Sequence, residues 1–151
     1  MLCNIYLRKD IVYIPTTGRT DAGFYINIDP VNVIHVTDTE VLHSSIKNML
    51  DKGNPQIPTP TRNTFPKPVL LNYVKVKSWA QFEDGAICFE VFEKDGLYKI
   101  QQMKKSESKG WEDNPTNAET FTSQTEVDTI VQKIVELIQS KSENIKINNN
   151  I

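Results

Sequence analysis

One stretch constrains the architecture more than any other: AICFEVFEKDGLYKIQQMKK, residues 86–105. Apolar and polar residues alternate on both sides of Asp95-Gly96, the favoured two-residue type I′ connection. A loop of that length sets the register, with Val91 opposite Ile100 and Phe92 opposite Lys99. Because side chains alternate faces, Ile87, Phe89, Val91, Tyr98 and Ile100 share one side, which is expected to be the core side. Cys88, Glu90, Phe92, Leu97 and Lys99 share the other. That second side mixes apolar and charged residues, so it is expected to be half covered.

More strands precede the hairpin. CNIYLR (3–8) and IVYIP (11–15) read as strands joined through Lys9-Asp10. FYINI (24–28) and VNVIHV (31–36) are split by Asp29-Pro30. Proline has no N–H for a ladder, so this break marks a turn, a bulge or an edge position.

Two helices carry their own signals. In TDTEVLHSSIKNMLDKG (37–53), Val41, Leu42, Ile46, Met49 and Leu50 form an apolar stripe. Thr37 and Glu40 have capping-box spacing, and Gly53 supplies a stop. In SQTEVDTIVQKIVELIQ (123–139), Val127, Ile130, Val131, Ile134, Val135 and Ile138 form a longer stripe, with Ser123 and Glu126 at capping-box spacing. Residues 54–68 hold five prolines and read as a stiff extended connection, unable to join a sheet interior or a helix. Residues 69–77 fit helix or strand, with the balance toward a short helix. A second helical turn is expected from Ser78, with Trp79 and Phe82 facing inward. Residues 106–120 are polar and loop-like apart from Trp111. The expectation is an α+β fold: a single domain over 1–140, mainly antiparallel sheet with helices packed on it. The Asn-rich residues 141–151 read as a frayed tail.

Chemistry is sparse. The net charge of −2 creates no basic field for nucleic acid or anionic lipid. No apolar run approaches the roughly 18 residues of a membrane span, and MLCNIYLRKD lacks the features of a secretory signal, so a cytoplasmic location is expected. Cys3 and Cys88 read as buried thiols. His35 and His43 lie eight apart, and no metal-ligand spacing is present; metal and cofactor are both expected to be none. Ser44 and Ser45 neighbour His43, yet adjacent helical positions do not face one another, and no nucleophile elbow exists. Carboxylates sit beside aromatics in FED and WED, where they read as solvated acids. No catalytic residue is assigned. A single-strand nucleic-acid module built on Tyr73, Lys75, Lys77 and Trp79 is a further reading, carried by a short basic stretch alone.

The most polar connection is TTGRTDAG, residues 16–23. Gly18 and Gly23 could free backbone amides to face an anion, with Arg19 as a fork. The following segment is strand-like, so the helix N-terminus that usually strengthens such a cradle is absent. A small enzyme holding a phosphate or carboxylate ligand in this loop is therefore the alternative reading. A turn between strands, or a loop contacting a protein partner, are the others.

Taken in order, IPTTGRTDAGFYINIDPV, NPQIPTPTR, FPKPV, KVKSWAQFEDGA, DGLYKI and GWEDNP resemble the immunity proteins of bacterial contact-dependent growth inhibition and related polymorphic toxin systems. The resemblance spans about residues 2–140. It implies a non-enzymatic cytoplasmic protein that binds the C-terminal toxin domain delivered by a neighbouring cell, often a nuclease, and blocks it. No binding motif transfers from such families. The candidate toxin-binding residues here are Arg19 and Asp21 in the first loop and Trp111, Glu112 and Asp113 in the long loop. Neither direct nucleic-acid binding nor membrane contact is expected, and the sequence leaves the oligomeric state open.

Overall fold

The computed structural model describes residues 1–149, with side chains described to Ser142. β1 (Leu2–Arg8) and β2 (Ile11–Thr20) form the first hairpin, turning through Lys9 and Asp10, both at positive φ. β3 (Tyr25–His35) follows, then α1 (Thr39–Lys52) and β4 (Gln56–Ile57). A 3-10 helix (Val69–Asn72) and α2 (Trp79–Asp84) precede β5 (Ile87–Lys94) and β6 (Leu97–Gln102). Short strands β7 (Lys104–Lys105) and β8 (Trp111–Glu112) pair with each other. A 3-10 turn (Pro115–Asn117), β9 (Ala118–Phe121) and α3 (Val127–Asn149) complete the chain. The main sheet runs β3-β2-β1-β5-β6-β9, antiparallel throughout, with β4 added in parallel to β2. The fold is α+β, as the alternation of strand and helix signals implies.

The β5–β6 register pairs Val91 with Ile100 and Phe92 with Lys99, as the Asp-Gly turn demands. The two sides of this sheet are covered differently. On one side α1 and α3 press Leu42, Ile46, Ile130, Ile134 and Ile138 onto Ile5, Leu7, Val12, Phe89 and Val91. Both helices present one apolar stripe at helical spacing, and every stripe residue but Val41 and the half-buried Val127 is buried. The other side is aromatic. Tyr6, Tyr13 and Phe82 form its centre with Val31, Leu70 and Cys88, and Trp79 and Trp111 pack on it. Phe92 and Leu97 lie beyond this cover and stay exposed, which accounts for the mixed composition of that side of the hairpin.

Several expectations change. Residues 24–36 form one strand rather than two. Asp29 and Pro30 sit in a bulge of β3, opposite the step from Pro15 to Thr16 in β2, and the Asp29-Pro30 bond is cis. β3 is also the sheet's edge, so no neighbour needs the N–H that Pro30 lacks. The Thr37–Glu40 capping box does not form. α1 starts after Asp38, and Thr37 Oγ1 instead contacts His35 Nδ1 at 2.8 Å. Gly53 does end α1 at positive φ, its N–H bonding Met49 O. In α3 the carbonyl of Glu126 accepts the first N–H groups, from Thr129 and Ile130, which places Ser123 upstream of the cap. Residues 141–149 of the expected tail lie in α3, and Ser142 is buried, donating to Asp10 Oδ1. Residues 150 and 151 of that predicted tail lie outside the described residues. The Pro-rich stretch contributes β4, because Gln56 and Ile57 keep their amides between flanking prolines. Residues 118–121 form β9 against β6 within what reads as loop.

Candidate functional site

The TTGRTDAG segment is mostly strand. Thr16 to Arg19 pair with β3, and only Asp21 to Phe24 make the connection. Its amides are used one by one. Arg19 N donates to Pro55 O at 2.9 Å, and Asp21 N to Ile57 O at 3.1 Å. Thr20 N donates to Phe24 O, Gly23 N to Thr20 O, and Ala22 N to Thr59 Oγ1, each at 2.8 Å. Thr20 is buried, and its hydroxyl both donates to Phe24 O and accepts from Phe24 N. Gln56 Nε2 donates to Asp21 Oδ1 at 2.8 Å. A phosphate cradle needs amides aimed outward. Those of residues 19–23 are all committed inward, which leaves the Arg19 guanidinium as the loop's only anion-binding group.

The same bonds brace the hairpin tip against the Pro-rich strap of residues 54–68. Asn54 anchors the strap's start: its side chain accepts from Leu2 N and donates to Leu2 O and Thr17 O. Gly18 lets Ile57 come close, since a Cβ there would lie 2.8 Å from Ile57 Cδ1. The tip therefore presents Arg19, Asp21 and Phe24 to solvent from a fixed backbone. Along β2 the odd-numbered residues share the aromatic side of the sheet. Tyr13 belongs to that cluster, and Thr17 bonds Asn27, which bonds Tyr6 Oη. Arg19 thus lies on the aromatic side, opposite Tyr25. Next to it is a groove of about 250 Å³ between β3 and the strap, lined by Tyr25, Ile26, Asn27, Phe65, Lys67 and Trp79 among others.

The long loop behaves differently. Trp111 is half-buried and folds onto the aromatic cluster, 5.5 Å from Tyr6 and 6.0 Å from Trp79 between ring centroids. Glu112 pairs with Lys104 at 3.3 Å across β7–β8. Asp113 Oδ1 accepts from Gln101 Nε2 at 3.0 Å. Gln101 is fully buried, and the same nitrogen reaches Glu90 Oε1, so Asp113 satisfies an interior amide. Of the five candidate residues, the three in this loop have internal work and Asp21 accepts from Gln56, whereas the Arg19 side chain makes no hydrogen bond or ion pair among the described residues. Sequence reasoning missed Phe24, Phe65 and Tyr25. The signal for Phe65 was present: an aromatic between prolines in a strap has no core to enter.

The remaining chemistry is structural. Among the described residues no group of His, Cys, Asp or Glu is placed to hold a metal. Cys3 and Cys88 are buried free thiols, and burial pushes Cys3 up to about 11 and Cys88 higher still. Burial likewise raises Tyr6 far above the ordinary phenol range. Glu83 of FED is buried, contrary to its reading as a solvated acid, whereas Asp84 is exposed and pairs with Lys105. Trp79 stacks on Phe82 at 4.9 Å, so one of its faces is unavailable to a nucleic-acid base. No described helix is long and apolar enough to cross a membrane.

No protein family matches the chain, and no curated protein matches it by sequence. Among solved structures it is similar to a protein of unknown function from Neisseria meningitidis. That similarity covers 93% of each chain at 11% identity, with a TM-score of 0.65, and shows a shared fold.

Proposed function

We propose that this is a cytoplasmic immunity protein, a non-enzymatic inhibitor that binds the C-terminal toxin domain of a contact-dependent growth inhibition or related polymorphic toxin system. The observation that carries the reading is the braced tip of β2–β3. Of its backbone donors, those of Arg19, Asp21 and Ala22 are spent on the Pro-rich strap and those of Thr20 and Gly23 within the tip, while Arg19 and Phe24 project outward. A connection that only reverses the chain needs no such clamp. A loop ordered before binding avoids an entropy cost at the moment of association. The sequence resemblance supplies the class of partner, and the tip supplies a surface suited to one. A stable complex would bury about 1,200–2,000 Å² in total, more than the tip alone offers, so the strap beside it is included.

The test is co-purification with the toxin domain encoded in the adjoining reading frame, together with survival of cells expressing that domain. A stable complex and protected cells are expected. Absence of both would remove the reading.

A further inference from the structure

We infer that the open edge of β3 is a self-association surface, and that it takes the same edge of a second copy of this chain, antiparallel about a two-fold axis. The inference is independent of the immunity reading. β3 ends the main sheet, with β2 on one side and no strand on the other. The register shows which backbone groups face the open side. Val36 N donates to Asp10 O at 2.8 Å, so bonded pairs recur at every second residue, at Ile34 with Val12 and at Asn32 with Ile14. Val31, Val33 and His35 therefore turn their N–H and C=O groups away from β2. Pro15, which has no N–H to give, sits opposite Val31 and fits the same alternation.

These outward groups are not equally free. The Val31 N–H donates to the Tyr73 hydroxyl, and Asp38 N donates to His35 O at 2.9 Å. Val33 N–H, Val33 C=O and His35 N–H have no partner among the described residues. A two-fold axis that sets Val33 of each copy opposite His35 of the other answers all three. Each Val33 N–H meets a His35 carbonyl, which has a second lone pair, and each His35 N–H meets a Val33 carbonyl. The side chains agree. Protected edges carry lysine, proline or inward-pointing charge. Residues 31–35, VNVIH, hold no proline, lysine or carboxylate, so two copies meet without like-charge repulsion. Val33 is 48% exposed, on the aromatic side of the sheet beside Tyr13, and the second copy's His35 covers it in this pairing. Tyr73, tied to Asp29, closes the edge beyond Val31 and keeps the contact short. A contact of so few residues falls below the roughly 1,200 Å² of standard interfaces, so the dimer is weak and reversible.

Sedimentation equilibrium from micromolar to millimolar concentration tests this, with amide spectra of isotopically labelled protein over the same range. A mass rising from one chain to two is expected, with concentration-dependent shifts centred on Val33 and His35. Val33→Lys adds edge protection and is expected to weaken dimerisation about tenfold or more at an unchanged melting temperature. Val33→Thr keeps the branched shape and both backbone groups, and is expected to dimerise within about threefold of the native chain. A single-chain mass at millimolar concentration, or shifts confined to other residues, would overturn the inference. So would a mass that climbs past two chains, the mark of β3 pairing head-to-tail with the β9 edge. A folded Val33→Lys chain that dimerises like the native one would do the same. None of these outcomes bears on toxin binding, which is read by co-purification.

Discussion

The two sides of the main sheet solve one problem in different ways. The helix-backed side is aliphatic and regular: two stripes at helical spacing lie on strands at period two. The opposite side is aromatic and irregular, closed by a 3-10 helix, the six-residue α2, and side chains reaching in from loops. Aliphatic stripes need only a long helix to cover a sheet. Large rings bury more area per residue and lock each other edge-to-face, so a few short elements suffice. Tyr6 alone contacts Trp79, Phe82 and Trp111, all with rings steeply inclined. The irregular side is also where exposed groups gather, because short elements leave gaps such as the groove beside Phe65.

The sharpest way to break the contrast is to delete one anchor from each side. Phe82 is fully buried and touches Tyr6, Tyr13 and Trp79. Phe82→Ala is expected to cost about 3–5 kcal/mol, and Ile134→Ala about 2–5 kcal/mol, by chemical denaturation. The two variants are expected to differ in kind. Ile134 sits where long elements meet, so its loss lowers protection from amide exchange across α1, α3 and the strands. Loss of Phe82 is expected to open residues 69–85 first, since they have few other contacts. Uniform loss of protection in both variants would mean the sides fold as one unit.

Alkaline pH probes a buried thiol on the aliphatic side. Cys3 belongs to the aliphatic cluster, and burial raises its pKa from 9.0 to about 11, against smaller opposing effects of the N-terminal ammonium and the Asn54 hydrogen bond. Below pH 9 both folded and unfolded chains keep the proton, and the contribution is intact. Above it the unfolded chain ionises first, so stability falls until the folded thiol also titrates near 11. The loss is on the order of 2–3 kcal/mol. Cys3→Ala is expected to be less stable at neutral pH and to fall less steeply between pH 9 and 11. Parallel curves for both proteins would exclude the thiol as a source of the slope.

Asn54 joins the strap to the sheet through three hydrogen bonds to β1 and β2. Asn54→Ala is expected to cost about 1–3 kcal/mol, because it leaves backbone groups of Leu2 and Thr17 without a partner. Crystallography or amide exchange of the variant is expected to show β4 released from Arg19 and Thr20. An undisturbed β4 would mean that the tip's own bonds to residues 55–59 suffice.

These differences mirror what could be read in the sequence. The β5–β6 register, both long stripes and the inward Phe82 were legible because each rests on a local period or a turn with one favoured geometry. The aromatic side was not, since Tyr6, Phe82 and Trp111 meet only after strands far apart in sequence pair. β9 was hidden because AETF is too short and polar to declare a strand, and it depends on β6 already being in place. The continuation of α3 was hidden by composition: the Asn-rich end hides Ser142, which reaches the first hairpin turn at Asp10. Of the candidate site, Arg19 and Asp21 were legible as polar residues in a glycine-bearing connection. Trp111, Glu112 and Asp113 showed the same surface signs, yet the fold consumes all three. Their partners Tyr6, Lys104 and Gln101 sit elsewhere in the chain, where no local pattern announces them.

The smallest expected effect on stability belongs to Arg19, and it bears most directly on the comparison. The side chain is exposed and makes no hydrogen bond or ion pair among the described residues, while its backbone is held by Tyr25 and Pro55. Arg19→Ala is therefore expected to move stability by no more than about 0.5 kcal/mol. Glu112→Gln, at an exposed ion pair, is expected to do little more, at about 0–1 kcal/mol. The two separate on binding. Glu112 already answers Lys104 across β7–β8, so its loss is expected to leave partner affinity unchanged. The Arg19 side chain has no partner among the described residues, so on the proposed reading its loss is expected to slow association with the toxin domain while the melting temperature stays put. An exposed charge that contributes little to stability, displayed on a braced tip, is the arrangement the proposed partner surface calls for, and a variant that changes neither binding nor melting temperature would leave Arg19 without that role.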